Sequence, residues 1–154
     1  MPASTTTEER PSLHLTRTFA APPERVWRAW TEAEAMKHWI APSASGSNAV
    51  IATELDVRVG GRFHLAFTGD NGERHDALGV YQEVDAPRRL SFTWSWKSTP
   101  ERESLVTITL KAVPGGTLFD FVHERFFDAA ARDRHVQGWT LWFTSLEKHV
   151  NSAE

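Results

Sequence analysis

The feature that most constrains the fold is an alternation of apolar and polar residues that recurs across residues 51–123. Phe63, Leu65 and Phe67 alternate with mostly polar neighbours, and residues 90–97 and 106–111 repeat the pattern. A period of two places successive side chains on opposite faces of a β-strand. Each segment therefore has one apolar and one polar face, which is typical of an antiparallel sheet covered on a single side.

Turn signals separate these segments. Gly60-Gly61 interrupts the alternation, Asn71-Gly72 favours a tight hairpin because both residues tolerate positive φ, and residues 85–89 and 114–116 contain further turn residues. A first alternating segment precedes them at residues 13–19. The sequence therefore predicts about six to seven strands.

An amphipathic helix of roughly 20 residues is predicted after the last strand. Asp128 is suited to cap its N-terminus. Its apolar residues step by three and four: Val136, Trp139, Phe143, Leu146 and Val150. A twisted sheet of this size must curl, and a long helix lying in its concavity buries both apolar faces. The expected class is α+β, with a curved antiparallel sheet around a long C-terminal helix.

Two short helices are predicted between the first strand and residue 51. Pro22 and Pro23 suit a helix start, because proline has the required φ and its missing N–H would be unbonded there. Thr31 and Glu34 have the spacing of a capping box, which predicts that a second helix restarts there and carries Trp39. Residues 41–49 are small and polar and are predicted to form a loop.

The 154 residues suit one domain. We expect a mobile tail at 1–11, a single domain at 12–150 and a short tail at 151–154. The formal net charge is −3 and the basic residues are scattered, which argues against nucleic acid or an anionic membrane as partner. With no apolar stretch of about 20 residues, no secretion signal and no cysteine, the expected location is cytoplasmic.

Several segments together resemble a known superfamily. They are residues 20–42, 54–63, 79–96 and 138–150, the last preceded by His123. In this order they resemble the SRPBCC, or START-like, superfamily and, within it, the family of homologues of the activator of heat-shock protein 90 ATPase. The resemblance implies a helix-grip fold with an internal cavity. It also implies one of several functions, because members bind apolar ligands, cyclise polyketides, sequester toxins or assist a chaperone.

One departure bears on the chaperone function. The eukaryotic cochaperones that give the family its name carry a separate N-terminal region implicated in chaperone binding, whereas here only a short polar segment precedes the domain. The resemblance is therefore poor evidence for chaperone activation.

The alternation of inward and outward side chains, together with the helix-grip arrangement, gives a set of candidate cavity residues. They are Trp39, Phe63, Leu65, Phe67, Tyr81, Phe92, Trp94, Trp96, His123, Trp139, Trp142 and Phe143. Aromatic side chains suit either a dense core or a pocket wall, so both interpretations stay open. Trp39 is either a lid or a structural anchor. His123 either orients a ligand or is a core histidine, and the direction of Tyr81 depends on a possible bulge near Gly79.

Other candidate residues receive simpler interpretations. Glu54 and Asp56 lie on the same face of the predicted strand as Arg58 and are expected on the outer side of the sheet. His135 and His149 are expected to face solvent. No metal-ligand spacing, phosphate loop or nucleophile elbow is present, so no metal, cofactor or catalytic residue is predicted.

Three functional hypotheses follow. The first is a non-catalytic protein that binds a small apolar or aromatic molecule. The second is a metal-free enzyme of the polyketide cyclase or dehydratase type, with an inward His or Tyr as general acid or base. The third is a module that binds a chaperone or another protein through an outer surface. The oligomeric state, monomer or homodimer, stays open.

Overall fold

A computed structural model of the chain describes residues 10–42, 49–69 and 72–151. Its centre is a seven-stranded antiparallel sheet, which confirms the predicted class. The strands are β1 Leu13–Phe19, β2 Val50–Leu55, β3 Arg62–Thr68, β4 Arg74–Asp85, β5 Arg89–Trp96, β6 Thr99–Val113 and β7 Gly116–Glu124. Their spatial order is β1-β7-β6-β5-β4-β3-β2, so the first two strands of the chain form the two edges of the sheet.

The described residues also form three helices: α1 Pro23–Thr31, α2 Ala33–Met36 and α3 Ala129–Asn151. Helix α1 begins with Pro22 as its N-cap and Pro23 in its first turn, as predicted. The carboxylate of Asp128 accepts a hydrogen bond of 2.8 Å from the backbone N–H of Ala131, which confirms the predicted cap of α3. Helices α1 and α2 together connect one edge of the sheet to the other.

The predicted capping box of Thr31 and Glu34 is wrong. Thr31 is still the last residue of α1, and its hydroxyl donates to the carbonyl of Trp27 one turn earlier (2.8 Å). The chain leaves the helical conformation at Glu32, the N-cap of α2, which makes no side-chain capping bond. A capping box requires the Thr at the N-cap position, which Glu32 occupies here, whereas Thr31 lies inside the preceding helix.

The pairing of β4 decides the direction of Tyr81. Gly79 pairs in regular register with Phe63 of β3, and the irregularity of β4 lies between Tyr81 and Glu83 rather than near Gly79. Tyr81 therefore keeps its pairing with Phe92 and points inward, where only 3% of its surface is exposed.

The core lies between the concave face of the sheet and the apolar stripe of α3. Trp139, Phe143, Leu146 and Val150 are all buried, as the spacing predicts. The rings of Trp139 and Phe143 meet those of β7; the centroids of Phe121 and Trp139, for example, are 4.8 Å apart. The C-terminal half of α3 is thus packed against a dense aromatic core.

Some sequence predictions fall largely outside the described residues. These are the N-terminal tail, of which residues 1–9 are not described, residues 43–48 of the loop, Asn71 of the hairpin turn, and residues 152–154. Within the described part, the carbonyl of Pro11 accepts a hydrogen bond from the N–H of Phe126 (3.1 Å). No helix among the described residues is long and apolar enough to cross a membrane.

Candidate functional site

A cavity of about 730 Å³ lies between the N-terminal half of α3 and the sheet. The sheet side is formed by the ends of β3 and β4 and by the hairpin that joins β5 to β6. Ala131, His135, Gly138 and Trp142 line the helix side, and their spacing of four, three and four places them on one face of α3. The aromatic part of the wall consists of Phe67, Trp94, Trp96, Phe126, Phe127, Trp139 and Trp142.

Five of the twelve predicted cavity residues line this space. They are Phe67, Trp94, Trp96, Trp139 and Trp142. Trp94 and Trp139 are nearly buried, whereas Trp96 and Trp142 are partly exposed. These five residues therefore come from the ends of the inward faces of β3 and β5 and from one turn of α3.

Five others surround only a much smaller space, of about 10 Å³, deeper in the fold. They are Trp39, Phe63, Leu65, Tyr81 and Phe92. This volume is at the lower limit for a single water molecule. The core interpretation of these residues is therefore the better one.

Trp39 is an anchor rather than a lid. It has no exposed surface, and its indole N–H donates to the carbonyl of Ala29 in α1 (2.8 Å). Its ring also lies against Trp30, with 4.7 Å between the ring centroids. This packing fixes the bent connection between α1 and the loop that follows.

His123 and Phe143 line neither space, and both are fully buried. The imidazole of His123 has a partner at each nitrogen. The indole N–H of Trp139 lies 3.0 Å from its Nδ1, and the hydroxyl oxygen of Ser104 lies 2.7 Å from its Nε2. Because an indole N–H can only donate, Nδ1 must be the acceptor, and the proton of the neutral ring is on Nε2.

This tautomer fixes the direction of the whole chain of hydrogen bonds. Nε2–H of His123 donates to Ser104, whose hydroxyl donates in turn to the carbonyl of Trp94 (3.0 Å). Burial, and to a lesser extent the neighbouring His135, lower the pKa of His123 well below its ordinary value. Ser104 lines the cavity, but its partner cannot accept the hydroxyl proton, so this pair is not arranged as a nucleophile and its base.

His135 was expected to face solvent, and that expectation is wrong. It lines the cavity, and its ring lies 5.2 Å from that of His123. Its Nδ1 donates to the carbonyl of Ala131 (2.8 Å), while its Nε2 accepts the indole N–H of Trp96 (3.1 Å). Burial lowers the pKa of His135, against a smaller opposing effect of the Ala131 carbonyl. The neutral ring thereby holds Trp96 in place across the cavity.

Charged side chains complete the lining. Arg74, Lys97, Arg102 and Arg134 contribute positive charge, and Asp76 is the carboxylate found among the described lining residues. Asp76 is 8% exposed and is already neutralised: Arg74 donates to both of its oxygens (2.9 and 3.0 Å), and Nε2 of His64 lies 2.6 Å away. The hydrogen bonds from Arg74 and then His64 hold the pKa of Asp76 far below its ordinary value.

Other sequence candidates lie elsewhere. Glu54 and Asp56 are exposed, as expected from their parity. His149 is half-buried and stacks on His38, with ring centroids 5.5 Å apart, so it is not simply solvent-facing. No group of three His, Cys, Asp or Glu side chains in the described part of the chain is placed to hold a metal ion.

The polar half of the cavity was not predicted from the sequence. Arg102 and Ser104 lie on the first half of β6, which begins at Thr99, whereas alternation of apolar residues starts only at Val106. His135, Gly138 and Trp142 form a second stripe beside the apolar one on α3, and His135 and Trp142 are seven residues apart. That spacing was a usable signal, but it does not distinguish a cavity wall from a solvent-facing flank.

The sequence and the fold are similar to those of known proteins. The family model described as activator of Hsp90 ATPase homolog 1-like protein matches residues 20–151. A structure from Chromobacterium violaceum is 26% identical, with 92% of this chain and 98% of that chain covered and a TM-score of 0.79. One from Rhizobium leguminosarum is 28% identical, with 91% and 93% covered and a TM-score of 0.76.

A structure from Nitrosomonas europaea is also similar. It is 26% identical, with 90% of this chain and 93% of that chain covered and a TM-score of 0.75. No match to a curated protein is significant. The comparisons therefore bear on family and fold.

Proposed function

Because the chain belongs to the family of activator of Hsp90 ATPase homolog 1-like proteins, whose fold suits ligand binding, we propose that it binds a small apolar or aromatic molecule between the sheet and α3. The observation that carries this proposal is the aromatic-walled cavity of about 730 Å³. Pockets for small molecules typically measure about 300–1,000 Å³ and combine apolar walls with a few polar groups. Burial of the ligand's apolar surface supplies the affinity.

The walls are also preorganised. The indole N–H of Trp139 is held by His123, and that of Trp96 is held by His135. Side chains that are already fixed lose little conformational entropy when a ligand arrives. Two of the large aromatic surfaces are therefore in place before binding.

The cyclase or dehydratase alternative has less support. Tyr81 and His123 were the residues expected to supply acid–base chemistry, and neither lines the large cavity. His123 donates at Nε2 and accepts at Nδ1, and burial raises the pKa of Tyr81, with a smaller contribution from Asp56. A general base must reach the proton that it removes, and these two groups do not reach this space.

The chaperone-binding alternative requires a contiguous apolar surface. The large apolar side chains that are well exposed among the described residues are Ile51, Val59, Phe127 and Leu141. They lie on separate elements: β2, the turn after it, the segment before α3, and α3 itself. Their distribution does not favour one docking surface over the cavity.

Gly138 offers a direct test of cavity binding. It lies on the cavity-facing side of α3, and a Cβ added to it meets nothing within 4 Å. Gly138→Leu should therefore fill part of the cavity without disturbing the core, and Leu favours a helix over Gly by up to about 1 kcal/mol. The control is Gln137→Leu, which adds a similar side chain to the adjacent, exposed position.

The probe is prodan, a neutral naphthalene dye whose emission shifts to the blue in an apolar site. Native protein and Gln137→Leu should bind it with similar affinity, and Gly138→Leu should bind it about ten-fold more weakly or worse, a loss of about 1.4 kcal/mol. Melting temperatures establish that all three proteins are folded. Equal binding by Gly138→Leu and Gln137→Leu would place the dye elsewhere and refute the proposal.

A further inference from the structure

We propose that the natural ligand is an amphipathic organic anion, whose apolar body enters the aromatic cavity and whose anionic head stays among cations at the mouth. This inference rests on the proposed function and specifies its ligand class. It starts from a contrast in charge: the whole chain has a formal net charge of −3, yet the cavity lining contains four cationic side chains and, among the described residues, one carboxylate. The excess of positive charge is therefore local.

The single carboxylate does not neutralise this excess. Asp76 uses both of its oxygens on Arg74 and also contacts His64. Lys97, Arg102 and Arg134 remain, and no carboxylate among the described residues lies within ion-pair distance of any of them. Three positive charges around one apolar space are complementary to a ligand with an anionic end.

The strand geometry keeps nearby acidic residues away from the mouth. Arg102 lies on the same face of β6 as Ser104 and Val106, which face inward. Because successive side chains of a strand point to opposite faces, Glu101 and Glu103 lie on the outer face. The sheet therefore separates the charges of this segment, with the cation on the cavity side and the carboxylates on the outer side. A solvated face of mixed charge would not require such a separation.

An apolar surface lies directly beside the cations. The guanidinium carbon of Arg102 lies 3.9 Å from the ring centroid of Phe127, which is 52% exposed. Stacking on an aromatic ring orients a guanidinium and leaves its N–H groups free to donate to an anion. Arg134 approaches the same space from α3, one turn before Gly138. The mouth thus combines a cationic rim with an aromatic wall.

Isothermal titration with a matched pair of ligands tests the inference. Naphthylacetic acid and naphthylacetamide have the same aromatic body, and only the acid is charged at neutral pH. We expect the native protein to bind the acid about ten-fold more tightly than the amide at low ionic strength, as charge-assisted hydrogen bonds are about twice as strong as neutral ones. Raising the salt from about 20 to 500 mM should weaken binding of the acid and leave the amide unchanged.

Two variants distinguish the effect of the cations at the cavity mouth from the effect of the overall charge of the protein. Arg102→Gln/Arg134→Gln should bring the affinities for acid and amide to within about two-fold of each other, mainly by weakening binding of the acid. The control, Arg62→Gln, removes an exposed cation of β3 that does not line the cavity and should keep the native preference.

The possible failures are distinct. Equal affinity of the native protein for acid and amide, or an unchanged preference in the double variant, would overturn the anion inference and leave cavity binding standing. Loss of the preference in Arg62→Gln would attribute it to overall charge and also overturn the inference. If neither the acid, the amide nor prodan binds, both this inference and the proposed function are wrong.

Discussion

Replacing His123 with Gln should make the protein's stability less sensitive to acid. The folded protein holds this imidazole neutral, with Nδ1 accepting from Trp139 and Nε2 donating to Ser104. Protonation would place two N–H donors 3.0 Å apart at the Trp139 contact and would leave a charge in a fully buried site. For this reason the pKa of His123 is lowered in the folded state.

The sign of the effect follows from proton binding. In the unfolded chain the imidazole has a pKa of about 6.5, so below that pH the unfolded state binds a proton that the folded state does not. Stability is therefore complete above about pH 6.5 and falls as the pH falls towards the lower, folded-state pKa. The limiting slope is about 1.4 kcal/mol per pH unit. Proton binding by His123 in the unfolded chain should therefore lower the free energy of unfolding by about 1.4 kcal/mol between pH 8 and pH 5.5. His135 contributes in the same direction because burial also lowers its pKa.

Urea unfolding at pH 8 and pH 5.5, followed by tryptophan fluorescence, measures this difference. Gln preserves an acceptor for Trp139 and a donor for Ser104 but does not titrate, so the pH-dependent loss should shrink by about 1.4 kcal/mol in His123→Gln. Ile108→Val is the control, because it destabilises a buried site by about 0.5–1.5 kcal/mol and keeps the histidine. A native pH dependence in His123→Gln would refute the reasoning.

Two further substitutions test the packing of the framework. Gly79→Ala should lower stability by about 1–3 kcal/mol in thermal unfolding, because the new Cβ would lie 2.0 Å from the carbonyl oxygen of Thr93 and 2.2 Å from the ring of Phe63; an unchanged melting temperature would contradict this close approach. Asp128→Ala should cost about 1 kcal/mol by removing the cap of α3, and Asp128→Asn should restore most of that loss. Equal stability of the Ala and Asn variants would show that the cap contributes little.

The alternation of residues was sufficient to predict the inward faces of the central strands, but not that of β2 and the turn after it, where Ile51 and Val59 are exposed. Phe63, Phe92 and Ile108 were assigned to the covered face and are buried there. The spacing of three and four in the last segment likewise identified the buried stripe of α3, including Phe143 and Leu146. These predictions succeed because a period depends only on local backbone geometry, which each segment carries by itself.

Local signals at element boundaries were less reliable. Asp128 caps α3 as expected, but Thr31 and Glu34, with an equally good spacing, do not form a capping box. The difference arises one residue later, where the chain turns at Glu32 to bring α2 against the sheet. Tertiary packing therefore selects among turns that the sequence permits equally well.

The sequence by itself determined which side chains face inward, and only the tertiary structure decided which of them meet another side chain and which meet empty space. Phe63 and Trp96 were both predicted to face inward, yet Phe63 lies in the packed core and Trp96 lines the large cavity. Periodicity specifies the face of an element but contains no information on the distance to the opposite element. The tertiary structure sets that distance by holding the N-terminal half of α3 away from the curved sheet. For the same reason His135, which was expected to face solvent, lies in the cavity wall.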